Sequence, residues 1–410
     1  MSSGHTKRRP LGRSFWTVWT AATSSNIGDG IVLAALPLLA ASLTREPLAV
    51  AATTIAIRLP WLLFGLFAGV IVDRTDRLRL MIGTDLGRAV AFAAIAVVVA
   101  TDNMTLLILY AAVFGVGILE TIFDTAGMSL TPALVEPDQL EHANARISGA
   151  YIAANELVGP PVGAALFAIA AVVPFGVNAV TFGVSVAMLL TVGGRFQPQR
   201  TERPSVISDI RDGFGFLWRE PVIRAFAIGA GVLNLGMTAG VSVLVLHAQD
   251  NLSLDELGFG LLLVAAAIGG ISGAQVAPSV IHKLGRAPSV LASVVAIAAG
   301  IAIMGAAHNI WVAGSGFALF GFAGEIWNIV SVTYRQAATP DAMLGRVMSG
   351  FRVIAYGAFP IGAALGGFIA SAVNLRASFF VGAGLVVGLL PYLIRVTNQH
   401  TLDPTVVIPS

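Results

Sequence analysis

Six ionisable side chains, Asp29, Arg58, Asp85, Glu120, Glu156 and Glu325, fall inside long apolar runs of the sequence. An ionised group at the middle of a bilayer costs about 2.5–3.5 kcal/mol even on a lenient insertion scale, so six facing lipid would cost roughly 15–20 kcal/mol, more than a typical protein's total stability. They therefore face one another, water or a bound proton. Carboxyls so placed do the chemistry of proton relays and cation binding, and an arginine so placed serves as a counter-ion.

Asp29 lies near mid-membrane and shares a polar patch with Asn26 in the stretch NIGDG. Arg58 reaches a comparable depth from the opposite side. An Asp29–Arg58 ion pair is one reading, and a proton- or cation-binding Asp29 is the other. Glu120 and Asp124, at i and i+4, share one helical face; Glu120 either extends a network through Asp124 or serves as a proton site. Glu156 sits midway along its run, just before LVGPPVGA. Glu325, flanked by Trp327 and Asn328, is the main buried acid of the second half and a candidate for substrate contact. Asp85 and Arg88, at i and i+3, are spaced to pair locally. Trp61, Phe64, Phe67, Trp327, Tyr356 and Phe359 either line an apolar pocket or pack against helices and lipid.

Other chemistries lack their residues. Cysteine is absent and the six histidines lack ligand spacing, so the sequence predicts no metal site. GAGLVVG, at Gly382 to Gly388, lies within an apolar run with no preceding strand, which excludes a dinucleotide loop, and there is no Walker loop. No cofactor is expected, and no enzyme. A net charge of only +2, with basic residues scattered at the ends of apolar runs, excludes a nucleic-acid-binding face.

The elements that must position these groups are membrane spans. Of the 410 residues 56% are hydrophobic and only 11% charged, against about a quarter charged in soluble domains. Apolar runs of about 20 residues, each long enough to cross roughly 30 Å of hydrocarbon as a helix, recur along the chain. Cutting at charged, Pro and Asn/Asp breaks predicts spans at 14–43, 48–72, 78–101, 104–128, 144–170 and 173–194, then 222–247, 256–281, 286–306, 309–334, 343–371 and 374–396. The predicted class is an all-α polytopic membrane protein of twelve transmembrane helices. Its divisions are an amino-terminal tail, 1–13, a six-helix bundle, 14–194, a linker with an interfacial helix, 195–221, a second six-helix bundle, 222–396, and a carboxy-terminal tail, 397–410. The first run is too long for a signal peptide and is read as a retained helix. Placing the amino terminus inside puts all 24 basic residues except Arg45, Arg58 and Arg376 on cytoplasmic segments or helix ends, so both termini are expected in the cytoplasm. Pro161 to Leu166, PVGAAL, returns as PIGAAL at Pro360 to Leu365, which makes the two halves a pseudo-symmetric repeat. Two such bundles suit alternating access.

The loop between the second and third spans concentrates charge that the rest of the chain avoids. Its spacing, Gly69-x-x-x-Asp73-Arg74-x-x-Arg77, resembles the signature of the major facilitator superfamily, and Asp-Arg-Thr-Asp-Arg followed by LRLMIGTDLGRA is most similar to the branch of macrolide-efflux proteins and the enterobactin exporter. Asp76 stands where other facilitators carry glycine. The resemblance implies the major facilitator fold and a cytoplasmic latch: Asp73 faces the amino end of the eleventh span, and a loop arginine reaches an acid on the fourth span, for which Asp124 is placed. Gly69 is expected to allow close helix approach. Gly159-Pro160 and Gly163 resemble the Gly-Pro-x-x-Gly-Gly motif of antiporter facilitators, with Ala164 replacing its last glycine.

The resulting expectation is a bacterial inner-membrane exporter of an amphipathic small molecule, drug or siderophore-like metabolite, that exchanges protons and works as a monomer among membrane lipids. A lipid or lysophospholipid carrier, or a receptor that binds without transporting, are the alternatives.

Overall fold

The computed structural model describes residues 11–194, 196–197 and 206–402; the outermost parts of both predicted tails and the first part of the predicted linker lie outside the described residues. The described chain is helical throughout its apolar runs, because in hydrocarbon each backbone amide must find its acceptor within its own helix. The first half holds α1 (Arg13–Leu43), α2 (Pro47–Val72), α3 (Arg77–Ala100), α4 (Leu106–Leu130), α5 (Leu140–Tyr151), α6 (Gly159–Ile169) and α7 (Val173–Leu189). After α8 (Val206–Arg219) come α9 (Pro221–Val241), α10 (Leu244–Leu252), α11 (Glu256–Leu284), α12 (Arg286–Ala306), α13 (Ile310–Ala338), α14 (Asp341–Ala372), α15 (Leu375–Gly388) and α16 (Leu390–Gln399). Among the described residues, 11 helices or helix pairs are long and apolar enough to cross a membrane, and Val173–Leu189, α7, is a shorter apolar helix. The chain is thus an all-α polytopic protein, with α7 falling short of the predicted 173–194.

The Asp and Asn breaks in the sequence act as amino-terminal caps. Asp76, Asp255, Asn309 and Asn374 each accept a hydrogen bond from a backbone amide in the first turn of α3, α11, α13 and α15. The fifth span is not one uninterrupted α-helix. Between α5 and α6, Ile152–Val158 forms a wide π-helical turn. Pro160 and Pro161 follow immediately and have no amide hydrogen, so the upstream carbonyls are re-registered and the Gly159 amide bonds to the Ala154 carbonyl.

The helices pack as two compact units. One comprises Met1–Ala35, Leu63–Met104 and Gly115–Thr201; the other comprises Leu36–Leu62, Thr105–Phe114 and Glu202–Ser410. The second unit therefore includes the α1–α2 hairpin and the start of α4 along with the whole second half. Within it α8 docks on the start of α14: Arg346 Nη1 donates to Asp212 Oδ2 at 3.3 Å, and a methyl on Gly213 would lie 2.2 Å from the Arg346 carbonyl oxygen. In the first unit α1 lies against the fifth span through glycine. A methyl on Gly159 would stand 2.4 Å from the Gly30 Cα, and one on Gly163 2.0 Å from the Ile31 carbonyl oxygen.

Candidate functional site

Those glycine contacts fix the rotation of α1, and with it the direction of Asp29. Gly28 is pressed against Asn178 of α7, and Gly30 against the Ala154 and Asn155 carbonyls of the π turn. Asp29, between them, points to α3. There it meets Arg88, whose side chain is completely buried. Arg88 Nη2 donates to both Asp29 oxygens, at 2.5 and 2.6 Å; Nη1 donates to Asp85 Oδ1 at 3.2 Å and to Ser25 Oγ at 3.4 Å. Ser185 of α7 in turn donates to Asp85 Oδ2 at 2.5 Å. The guanidinium lies over the Phe182 ring at 4.1 Å and the Phe123 ring at 5.4 Å, and Phe182 stacks on Phe92. A planar fork with separately directed donors suits this two-carboxylate site; a lysine ammonium does not.

The counter-ion of Asp29 is thus Arg88, and not Arg58 as the matching depths of α1 and α2 suggested. Arg58 is exposed and lies 5.3 Å above the Phe359 ring of α14. Glu120 acts electrostatically on Arg88, and Asp124 feels Glu120, Arg88, Asp29 and Asp85. Four carboxyls, Asp29, Asp85, Glu120 and Asp124, therefore lie within electrostatic reach of Arg88 in the first unit, the first two paired with it directly. No histidine, cysteine or acid group among the described residues forms a metal-ligating cluster.

The charged loop is built differently from the latch expected of it. Arg74 and Arg77 make no ion pair with Asp124 among the described residues; the arginine within electrostatic reach of Asp124 is Arg88. Asp73 and Arg74 are exposed, and Arg77 keeps a buried Nε without a hydrogen-bond partner. A methyl on Gly69 would meet nothing within 4 Å, so no close helix approach is made there. Asp76 is the buried member: Oδ1 accepts from the Arg79 amide at 3.0 Å, and Oδ2 from the Phe196 amide at 2.8 Å. The acid in the glycine position thus caps α3 and ties it to the chain leaving the first half.

Glu156 is half-buried in the π turn, three residues before Gly159, which is buried against α1, and four before the buried Pro160. Glu325, midway along α13, is half-buried, makes no hydrogen bond or ion pair among the described residues, and has exposed Asn328 one turn on. Three residues central to this geometry were not marked as sites by the sequence. Arg88 reads as a local partner of Asp85. Arg335 and Arg352 read as cytoplasmic helix-end charges, although α13 extends to Ala338 and Arg352 lies eleven residues into α14.

A carboxyl-rich core around one buried arginine, in an all-helical polytopic chain, narrows the kinship to transporters. A family model described as Transmembrane secretion effector matches residues 8–406. The chain belongs to that family, a branch of the major facilitator superfamily. The multidrug efflux pump Tap of Mycolicibacterium fortuitum is 27% identical over 393 residues, covering 92% of each chain. The enterobactin exporter EntS of Escherichia coli K12 is 26% identical over 336 residues, covering 81% of this chain and 80% of the exporter. Among solved structures, a bacterial homologue of the iron transporter ferroportin in its inward-facing state superposes with a TM-score of 0.76 at 18% identity, over 95% of this chain and 100% of the other. A bacterial homologue of the lysosomal transporter Spinster gives 0.74 at 12% identity, over 94% and 96%. These likenesses show the major facilitator fold, and members of this family are transporters, not enzymes.

In this facilitator the second unit also holds a set of contacts at the α1–α2 turn. Arg45 donates to Gln249 Oε1 at 2.6 Å and pairs with Asp250 at the end of α10. Glu46 Oε1 accepts from Ser371 Oγ of α14 at 2.5 Å and Oε2 from the Ala49 amide at 2.6 Å. Burial is the largest single influence on Glu46 and raises its pKa, but the hydrogen bonds from Ser371, Ala49 and Leu48 together outweigh it, and the net direction is below the ordinary 4.5. A methyl on Gly367 would come 2.7 Å from the Ala51 Cβ, so α2 and α14 touch closely here. These are the polar contacts by which the first hairpin is held to the second half.

Proposed function

We propose that this facilitator exports amphipathic small molecules from the bacterial cytoplasm across the inner membrane, by alternating access coupled to proton entry, as a monomer with both termini cytoplasmic. The observation that carries the reading is the Arg88 centre. A structural ion pair needs one acid for one base, whereas here Asp29 and Asp85 both pair with Arg88, and Glu120 and Asp124 lie within its electrostatic reach. Carboxyls in excess of cations inside a bundle are the groups that take up and release protons as solvent access changes. Efflux of drugs by Tap and of enterobactin by EntS supports the outward direction and the amphipathic class of cargo.

Within this reading Asp29 is the proton-exchanging member, because it alone of the directly paired acids has a partly exposed side chain, at 18% against 0% for Asp85. Glu120, Asp124 and Glu156 extend the acidic region along α4 and the π turn. Asp73 and the loop arginines form the cytoplasmic latch in another stage of the cycle. The test is uptake of a panel of amphipathic compounds into everted membrane vesicles, with and without an imposed pH gradient, acid inside. Gradient-stimulated uptake that vanishes with a protonophore supports proton-coupled export. Uptake indifferent to the gradient removes the coupling, and no uptake of any class removes the exporter.

A further inference from the structure

The second unit carries arginines that no carboxylate answers. Arg335, in the last turn of α13, is 3% exposed. Its Nε donates to the Ser331 carbonyl at 3.1 Å, its guanidinium lies 3.4 Å from the centre of the Phe351 ring, and its Nη1 is buried with no hydrogen-bond partner, as is the Ser331 hydroxyl. Arg352 and Tyr356 of α14 act on it electrostatically. Both are exposed, and at i and i+4 they share one face of the helix. Tyr356 packs 5.8 Å from Phe359 on the same helix, and Phe359 carries Arg58 of α2 at 5.3 Å above its ring. Arg58, Arg335 and Arg352 make no ion pair among the described residues.

The arrangement is a strip of three guanidiniums and three rings, of which Phe351 is buried under Arg335. Arg352 stands about 16 Å along α14 at 1.5 Å per residue, well inside the span. An exposed arginine at that depth looks onto water and not onto lipid, since a lipid-facing charge is strongly disfavoured. A buried guanidinium is ordinarily paired, and Arg335 is not. The unpaired Glu325 does not supply the partner: it lies ten residues earlier on α13, about 15 Å along the helix. The missing partner is an anion. Arginine forks match the planar oxygens of carboxylates, sulfonates and phosphates, and the exposed Tyr356 ring with the half-buried Phe359 ring offers faces on which flat apolar groups stack.

We infer that the face formed by Arg58, Phe359, Tyr356 and Arg352, backed by the fixed charge of Arg335, is a subsite for an anionic aromatic portion of the cargo. This rests on the exporter reading above and specifies its substrate class. Arg352 and Arg58 hold the anionic group, the two rings hold the aromatic one, and the buried arginine keeps the face positive.

The test is equilibrium binding to the full-length protein in nanodiscs, without any pH gradient, of naphthalene-2-carboxylate and its neutral analogue naphthalene-2-carboxamide. The carboxylate is expected to bind at least tenfold more tightly than the amide. Arg352→Gln and Arg58→Gln, both at exposed positions, are each expected to weaken carboxylate binding at least fivefold while leaving the amide unchanged, and Arg352→Lys to restore part of the loss. Equal binding of the two probes, no binding of the carboxylate, or a carboxylate preference that survives both glutamine substitutions overturns the inference. Gradient-driven export restricted to cations, with no carboxylate binding, removes this subsite and leaves the exporter standing. Carboxylate binding without vesicle transport does the reverse.

Discussion

Replacing Arg88 with glutamine removes the cation at the centre of the first unit and leaves its carboxyls behind. The magnitude follows from the contacts. Arg88 is wholly buried and bridges Asp29, at 2.5 and 2.6 Å, to Asp85, at 3.2 Å. Removing one partner of a buried pair costs about 3–5 kcal/mol, because the surviving charges are left uncompensated. The guanidinium over Phe182, at 4.1 Å, contributes up to about 2 kcal/mol more for a desolvated cation. Two effects offset this: water reaches Asp29, whose side chain is 18% exposed, and an orphaned carboxyl can bind a proton. A net loss of about 3–4 kcal/mol remains, a fall in Tm of about 6–8 °C at roughly 2 °C per kcal/mol for a long chain. The double variant Asp29→Asn/Arg88→Gln places two neutral amides where the ion pair stood and should recover at least half of that loss. Both variants should lose gradient-stimulated transport. Thermal unfolding in detergent and vesicle uptake read the two effects separately. An Arg88→Gln protein that melts within about 1 °C of the parent, or a double variant still driven by the gradient, refutes the reasoning.

Asp29→Asn alone should abolish the response of uptake to the pH gradient yet leave carboxylate probe affinity within twofold, because no arginine of the second-unit strip pairs with it; a parallel loss of both would join the two sites. Asp73→Asn should impair transport severalfold while membrane insertion, read by surface labelling, stays intact, and full activity would remove the latch. Gly163→Val drives a side chain into the Ile31 carbonyl, 2.0 Å from the first added carbon, and should destabilise by at least the roughly 1–3 kcal/mol of ordinary overpacking, whereas Gly149→Ala, with nothing within 4 Å, should be silent in the same melt. Glu46 has its pKa held below 4.5 by hydrogen bonds made only in the folded contact, so its contribution is fully present above that value and is lost as the pH falls through the lowered one. Crosslinking between cysteines introduced at Thr44 and Ala372 should therefore be constant from neutral pH down to about 5 and decline below; in Glu46→Gln the decline should disappear.

The helical class was legible because hydrocarbon leaves the backbone so few options, and the Asp and Asn breaks were legible because they cap the helices they precede. The pairing of Asp29 was not. Depth along α1 and α2 can be counted from the sequence, but the rotation of α1 is set by Gly28 against Asn178 and Gly30 against the π turn, contacts between segments about 125–150 residues apart. Arg58 lies over Phe359 instead. The π turn had a signal, two adjacent prolines without amide hydrogens, although their usual effect is a kink. Arg335 and Arg352 were hidden by the positive-inside tally, which assigns every arginine near an expected cytoplasmic loop to topology and cannot distinguish one at the surface from one buried against Phe351.

The two units differ in the sign of the charge they gather. The first gathers carboxyls around Arg88; the second gathers arginines around Phe351 and Phe359. If one carboxylate bound both proton and cargo, the exchange would be direct competition, and the cargo would have to be cationic. On the proposed reading, with the proton on an acid of one unit and an anion on the arginines of the other, the two ligands would never contest an atom. Their coupling then has to arise from each ligand favouring a different conformation of the same chain, so that neither crosses efficiently unless the other has changed the equilibrium. The contacts of Arg45 with Asp250 and Glu46 with Ser371 are suited to be one term in that equilibrium, since they are polar, exposed and made from short side-chain hydrogen bonds. Exposed contacts of this kind contribute little each and can be broken and remade in every cycle, unlike the buried Arg88 centre, whose disruption is costly.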